Sequence, residues 1–190
     1  MTITGCLNKR LGLALSIFAT LGILLGCSEK QSQGAGNMPV AIAKAHTYQK
    51  DRLALQLPQG WQVFEDFYPV DGRRRLNVVT PIGSSMTLDI FSAEQAPTLG
   101  EHFANYMAAI LPPETESSSR IDSGDVSYGA VKGMFANVIL DEPYDIAMFV
   151  EILPLRNGDK QAYFIFNTPP PQKGDISRYI EDIIDTAQLP

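Results

Sequence analysis

The Asn157-Gly158 dipeptide is the feature that most constrains the fold, because it stands between two apolar runs. The runs YDIAMFVEILPL (144–155) and KQAYFIFNT (160–168) are rich in the aromatic and β-branched residues typical of strands. Asn and Gly both tolerate the positive φ angles that a two-residue hairpin turn requires. The pattern therefore predicts an antiparallel hairpin late in the chain, as part of a longer meander.

Shorter runs before and after a central helix predict further strands. They are LALQL (53–57), WQVFEDFY (61–68), RRLNVVT (74–80), MTLDIF (86–91) and VSYGAVKGMFANVILD (126–141). Turn residues separate the first four runs: Pro58-Gln59-Gly60, Asp71-Gly72 and Pro81-Ile82-Gly83. The polar stretch ETESSSRIDSGD (114–125) is predicted to be a loop.

Two helices accompany these strands. Thr98 and Glu101 have the spacing of a capping box, and the helix they open carries one apolar face, formed by Leu99, Phe103, Met107, Ile110 and Leu111. Pro112-Pro113 is predicted to end it. Asp175 is predicted to cap a last helix, whose stripe is Ile176, Tyr179, Ile180, Ile183, Ile184 and Ala187. Together the elements predict an α+β fold, an antiparallel sheet with helices packed on it.

The N-terminal region predicts an export signal. Lys9-Arg10 precedes an apolar run at 11–25, which is shorter than the ~20 residues of a membrane span. Leu24-Leu25-Gly26-Cys27 resembles the bacterial lipobox. The resemblance implies cleavage between Gly26 and Cys27, diacylglycerol on the Cys27 thiol and acylation of the new N-terminus.

These features divide the chain into a lipoprotein signal peptide (1–26), a lipidated tether (27–47) and one domain (48–190). Acyl chains on Cys27 would hold the protein to a membrane on the periplasmic side. Ser28 follows the cysteine. The absence of Asp at that position favours the outer membrane in a Gram-negative host.

The composition narrows the range of possible partners and of possible chemistry. The formal net charge of −6 makes nucleic acid a poor partner, because that polyanion rewards clustered Lys and Arg. The two cysteines are Cys6 and Cys27, so the domain itself has none for a disulfide, a catalytic thiol or a thiolate metal site. The domain must therefore be stable through its core alone.

The order of elements resembles the PsbP-like group, which includes the PsbP subunit of the oxygen-evolving photosystem and bacterial DcrB-type lipoproteins. Four segments carry the resemblance: LPQGW at 57–61 and the stretches 98–103, 158–166 and 176–189. The lead-in DRLALQLP departs from that of PsbP itself and points to the DcrB-like branch. The resemblance implies an α/β/α sandwich and a binding or assembly role without a shared catalytic site. It supplies no ligand or cofactor.

Arg73, Arg74 and Arg75 form the one dense cationic spot in an acidic domain. The Asp71-Gly72 turn places them at the end of a predicted hairpin. One interpretation is a solvated hairpin end. The other is a contact with an acidic partner surface or lipid head groups, since guanidinium suits carboxylate and phosphate. Three adjacent cations repel one another, so a nearby acid from this domain or from a partner is expected.

Few residues of the domain could support catalysis, so no catalytic residue, metal or cofactor is predicted. His46 lies in the tether, which leaves His102 as the histidine for a triad or a metal site, and a structural role is the default for it. Three hypotheses follow. The first is a lipid-anchored envelope protein with a non-catalytic role and an envelope protein as partner. The second is a carrier of a small apolar ligand, and the third a hydrolase built on carboxylates or His102.

Overall fold

The computed structural model of the protein describes residues 45–69, 71–111, 119–142 and 145–190. The signal peptide, Gly26, Cys27 and the tether up to residue 44 lie outside these ranges, so lipidation and cleavage stay predictions. Among the described helices, none combines the length and the apolar character needed to cross a bilayer.

The described chain contains nine strands and two α-helices. In chain order they are β1 (His46–Lys50), β2 (Leu53–Leu57), β3 (Gln62–Phe67), β4 (Arg74–Val79), β5 (Ser85–Ser92), α1 (Leu99–Ile110), β6 (Ser119–Tyr128), β7 (Val131–Leu140), β8 (Ile146–Asn157), β9 (Lys160–Thr168) and α2 (Lys173–Thr186). A short 3₁₀ helix, Pro170–Gln172, leads into α2. The first strand begins at His46, so His46 and Thr47, which the sequence predicted to lie in the tether, belong to β1.

Seven strands form one antiparallel sheet in the order β3-β4-β5-β9-β8-β7-β6, and β1 and β2 form a separate hairpin. The predicted hairpin at Asn157-Gly158 is confirmed. Asn157 pairs with Lys160 across a two-residue turn, in which Gly158 has φ of +57°. That value lies in the left-handed region that glycine adopts without steric cost. The α+β fold class is confirmed.

The sheet carries a hydrophobic core on each face, because successive strand residues point to opposite sides. On β8 and β9, Leu153, Phe164 and Phe166 join the core beneath α2 and the β1–β2 hairpin. Their neighbours Ile152 and Ile165 join the core beneath α1. The arrangement is a sandwich with the sheet in the middle.

The helix predictions hold in part. The capping box of α1 is confirmed: Thr98 Oγ1 accepts from the Glu101 amide, and the Glu101 carboxylate accepts from the Thr98 amide. Helix α1 ends at Ile110, and Pro112-Pro113 lies outside the described residues. The predicted cap at Asp175 is wrong, because α2 begins at Lys173 with Gln172 as its N-cap. Prolines in the preceding 3₁₀ turn fix φ near its helical value, so helical geometry starts earlier.

The predicted loop at 114–125 is wrong where the structure describes it. Residues from Ser119 onward belong to β6, which pairs with β7 along its whole length. Strand β6 is the last strand of the sheet, and most of its side chains are exposed on both faces. Apart from Ile121, Val126 and Tyr128, the residues of this edge strand are polar or glycine, so its composition resembles that of a loop.

The two faces of the sheet are covered unequally. Seven strands at ~4.8 Å spacing span roughly 29 Å, whereas one helix is about 10 Å wide. Helix α1 packs on β7 and β8. On the face of β3 and β4 that α1 leaves open, Phe67 is 41% and Val79 is 44% exposed. On the opposite face of β4 and β5, Leu76 and Leu88 are completely buried.

Candidate functional site

The predicted arginine cluster is divided between the two faces of the sheet. Arg74 and Arg75 are neighbours on β4, so their side chains point in opposite directions. Arg73 precedes the strand and lies on the side of Arg75, where both line the same groove. The expected relief of cationic repulsion by nearby acids is observed, and the acids come from this domain.

Arg74 has an internal role. Its guanidinium is only 3% exposed, and it binds the Asp66 carboxylate through two hydrogen bonds of 2.8 and 2.7 Å. It also donates to the carbonyl oxygens of Lys50 and Asp51, which join it to the turn of the β1–β2 hairpin. The expected exposure at a hairpin end is therefore wrong for Arg74, because β3 and the β1–β2 hairpin enclose it.

The electrostatics around Asp66 match this burial. Hydrogen bonds from Arg74 hold the pKa of the Asp66 carboxyl well below its usual range. Tyr48 donates to the same carboxylate at 2.6 Å, and burial together with this contact raises the pKa of Tyr48 to about 12. Arg74 and Asp66 therefore form a buried, hydrogen-bonded ion pair that holds the fold together.

Arg75 faces the α1 side and binds Asp89. The two residues pair directly across β4 and β5, and the guanidinium donates two hydrogen bonds of 2.6 Å to the carboxylate. Asp89 is completely buried. A buried carboxylate needs such a partner, so Arg75 and Asp89 require each other. Asp89 was not among the predicted site residues. Its signal in the sequence is an acid in the strand MTLDIF, whose other residues except Thr87 are apolar.

A groove of about 490 Å³ runs between α1 and the uncovered part of the sheet. Helix α1 forms one wall, and β4 and β5 supply the other. The described residues that line it are Asp71, Arg73, Arg75, Phe91, Pro97, His102, Asn105, Tyr106, Ala109 and Ile110. We call this the arginine groove. It brings together two of the predicted arginines with His102.

His102 is a buried histidine without a hydrogen bond at Nε2. Its ring stacks on Tyr163 with 4.3 Å between the centroids, and Nε2 lies 3.6 Å from Asp89 Oδ2. Burial lowers the pKa of His102, and the Arg73 and Arg75 charges act in the same direction against the attraction of Asp89. The net shift favours the neutral imidazole.

Polar side chains stabilise the open floor of the groove. Asn77 donates to Glu65 at 2.9 Å and accepts from Thr87 at 3.0 Å, which links β3, β4 and β5 on this face. Tyr106 on α1 exchanges hydrogen bonds with Asn167 on β9. Among the residues that line the groove, Tyr106 and Arg75 are thus held by hydrogen bonds within the domain.

The groove supports binding better than hydrolysis. Its described lining contains no Ser, Thr or Cys to act as a nucleophile. His102 lies beyond hydrogen-bond distance of Asp89, and Arg75 already occupies that carboxylate. Within the described ranges, no three His, Cys, Asp or Glu side chains come together as metal ligands.

A pocket of more apolar character lies beside α2. Its lining includes Pro58, Tyr179 and Ile183, and its volume is about 250 Å³. Ligand sites usually enclose ~300–1,000 Å³. This pocket is open and small for a carrier of apolar ligands.

Comparisons with known proteins give a structural neighbour. No protein-family model matches the chain, and no curated protein matches its sequence. The solution structure of cyanobacterial PsbP (CyanoP) from Synechocystis sp. PCC 6803 is similar, with a TM-score of 0.51 and 10% sequence identity. The match covers 82% of this chain and 98% of that chain. The PsbP-like fold that the sequence resemblance predicted is therefore confirmed.

Proposed function

We propose that this protein is a lipid-anchored, non-catalytic accessory protein of the bacterial cell envelope that binds a protein partner in the arginine groove. The observation that carries the proposal is the groove itself, where Arg73 and Arg75 lie beside α1 on the part of the sheet face that this helix leaves open. A PsbP-like fold is consistent with an accessory role. The lipobox at Cys27 supports the anchor, and the tether would let the domain reach a partner beside the membrane.

Two alternatives receive less support. The hydrolase needs a nucleophile and a free acid beside His102, and Asp89 is held by Arg75. The carrier of apolar ligands needs an enclosed cavity. The space between the sheet and α2 is instead filled by side chains such as Phe164, Phe166 and Ile180, which are at most 1% exposed.

Photocrosslinking in intact membranes tests the proposal. A photoreactive amino acid replaces Asn105 in the wall of the groove, and in a control strain it replaces Arg178 on α2. We expect a discrete crosslinked species from position 105 and none of that size from 178. We also expect its yield to fall in the Cys27→Ala variant, because that unprocessed precursor lacks the acyl chains. The same species from both positions, or none from 105, would refute a partner in the groove.

A further inference from the structure

The three arginines differ in how much of their hydrogen-bonding capacity is used. Arg74 makes four hydrogen bonds and Arg75 makes two. The Arg73 guanidinium makes none with the described residues, although Asp71 Oδ2 lies 3.1 Å from its Nε and Asp89 Oδ2 lies 3.7 Å from its Nη1. Nε is buried without a hydrogen-bond partner, so the close Asp71 oxygen lies outside hydrogen-bond geometry.

Arg73 therefore keeps guanidinium donors that no described residue uses, and its side chain is 23% exposed; Nε itself is covered while Asp71 stays in place. A guanidinium presents five N–H groups in one plane, a geometry that matches two carboxylate oxygens. Asp71 is about half exposed, and an ion pair of that kind contributes little. An incoming carboxylate could displace Asp71 toward solvent at small cost and make the aligned hydrogen bonds that Asp71 does not make.

The charges in the groove determine how much negative charge a ligand can bring. The positive charges of Arg73 and Arg75 are matched by Asp71 and Asp89. The whole chain carries a formal charge of −6, which repels polyanions at long range. A phosphate, or the surface of an anionic membrane, brings more negative charge than this groove compensates. Once Asp71 is displaced toward solvent, one positive charge in the groove is left uncompensated, so a single carboxylate is the anion that fits.

The walls around Arg73 are apolar. Phe91, Pro97 and Ile110 line the groove, and Phe67 pairs with Arg75 across β3 and β4 on the same face. We infer that Arg73 is the ligand-binding arginine of the groove, and that it takes one acidic side chain flanked by apolar residues in the partner polypeptide. This inference rests on the proposed function and specifies the chemistry of its partner.

A pair of peptides tests the inference with the full chain in nanodiscs of zwitterionic lipid. The probe is a capped Gly-Ser peptide that carries one Glu between two Leu residues and a neutral dye, and its analogue has Gln in place of Glu. Fluorescence anisotropy measures binding. We expect at least tenfold weaker binding of the Gln peptide, and a similar loss for the Glu peptide with Arg73→Gln, because a charge-assisted hydrogen-bonded pair is removed. Arg178→Gln removes the same charge from α2 and should bind the Glu peptide normally.

Several results would overturn the inference. They are equal binding of the two peptides, equal binding by Arg73→Gln, and no binding of the Glu peptide at all. Inorganic phosphate or anionic vesicles that bind through Arg73 when the Glu peptide does not would also overturn it. The crosslink from position 105 is scored separately, so a partner captured there without any dependence on Arg73 would refute this inference and leave the proposed function standing.

Discussion

Replacing Asp66 with Asn should destabilise the domain strongly, because it leaves the Arg74 guanidinium buried without its counter-charge. The substitution weakens two charge-assisted hydrogen bonds from Arg74 and the 2.6 Å bond from Tyr48. The Asn amide can accept through one oxygen only, and its N–H₂ group faces donors. Removing one partner of a buried ion pair costs about 3–5 kcal/mol, and we expect Asp66→Asn to lie near the lower end.

A matched substitution controls for the chemistry. Asp141 pairs with Arg120 at 3.0 Å, and both side chains are more than half exposed. Asp141→Asn should therefore cost no more than about 1 kcal/mol. The double variant Asp66→Asn with Arg74→Met should lose less stability than Asp66→Asn alone, because it removes the uncompensated charge as well.

Urea-induced unfolding, followed through the fluorescence of Trp61, measures these differences. Trp61 is the single tryptophan of the chain, and it is 3% exposed in the folded state. A loss below about 1 kcal/mol for Asp66→Asn, equal to that of Asp141→Asn, would refute the structural role of the pair.

The dependence on pH provides a second check of the same pair. The folded-state pKa of Asp66 is lowered from its ordinary value of 3.8, so folding releases protons from this group. The stability from the pair is complete above pH 3.8 and is lost as pH falls toward the lower folded-state pKa. The gap between the native chain and Asp66→Asn should therefore be full at pH 7 and narrow below about pH 4. A gap that is constant down to pH 2 would contradict this assignment.

Three further predictions follow from other parts of the molecule. Ile180→Ala and Ile183→Ala should each cost about 2–5 kcal/mol in urea unfolding, because both side chains are at most 1% exposed beneath α2; losses below about 0.5 kcal/mol would mean that α2 does not pack as described. Burial raises the pKa of Glu151, so the native chain should lose stability as pH rises above about 4.5, and Glu151→Gln should lack this loss in melts from pH 4 to 8; parallel curves would refute the assignment. Cys27→Ala should remain an unprocessed precursor, and an unmodified Cys27 in the mass spectrum of the native mature N-terminal peptide would exclude lipidation.

Much of the fold could be predicted from local patterns. Alternation in LALQL, the Asn157-Gly158 turn and the capping box at Thr98 each depend on residues that are close in sequence, and each is confirmed. The same local reasoning failed for β6. Its apolar residues Val126 and Tyr128 pack on the core only at its C-terminal end. No apolar period marks residues 119–125, and their pairing with β7 is what makes them part of a strand.

The candidate site depends on register, which the sequence alone did not provide. Strand alternation could have separated Arg74 from Arg75. The acids that bind these arginines could not be predicted in the same way, because Asp66 and Asp89 lie on β3 and β5, the two strands that flank β4. The contact between His102 and Tyr163 joins α1 to β9 across the sheet and needs the full strand order. Long-range pairing therefore determined which cations were internally bound and which one kept free donors.

The position of the groove follows from how the layers cover the sheet. The face beneath α2 has two covering elements, α2 and the β1–β2 hairpin, and there Leu76 and Leu88 are completely buried. The other face has α1, which packs on β7 and β8. A helix about 10 Å wide covers only about a third of a sheet roughly 29 Å across. The groove therefore forms along the inner side of α1, and on β4 the residues that alternate onto the open face begin with Arg75. A partner that fills the groove would complete this layer in the way that the β1–β2 hairpin completes the opposite one.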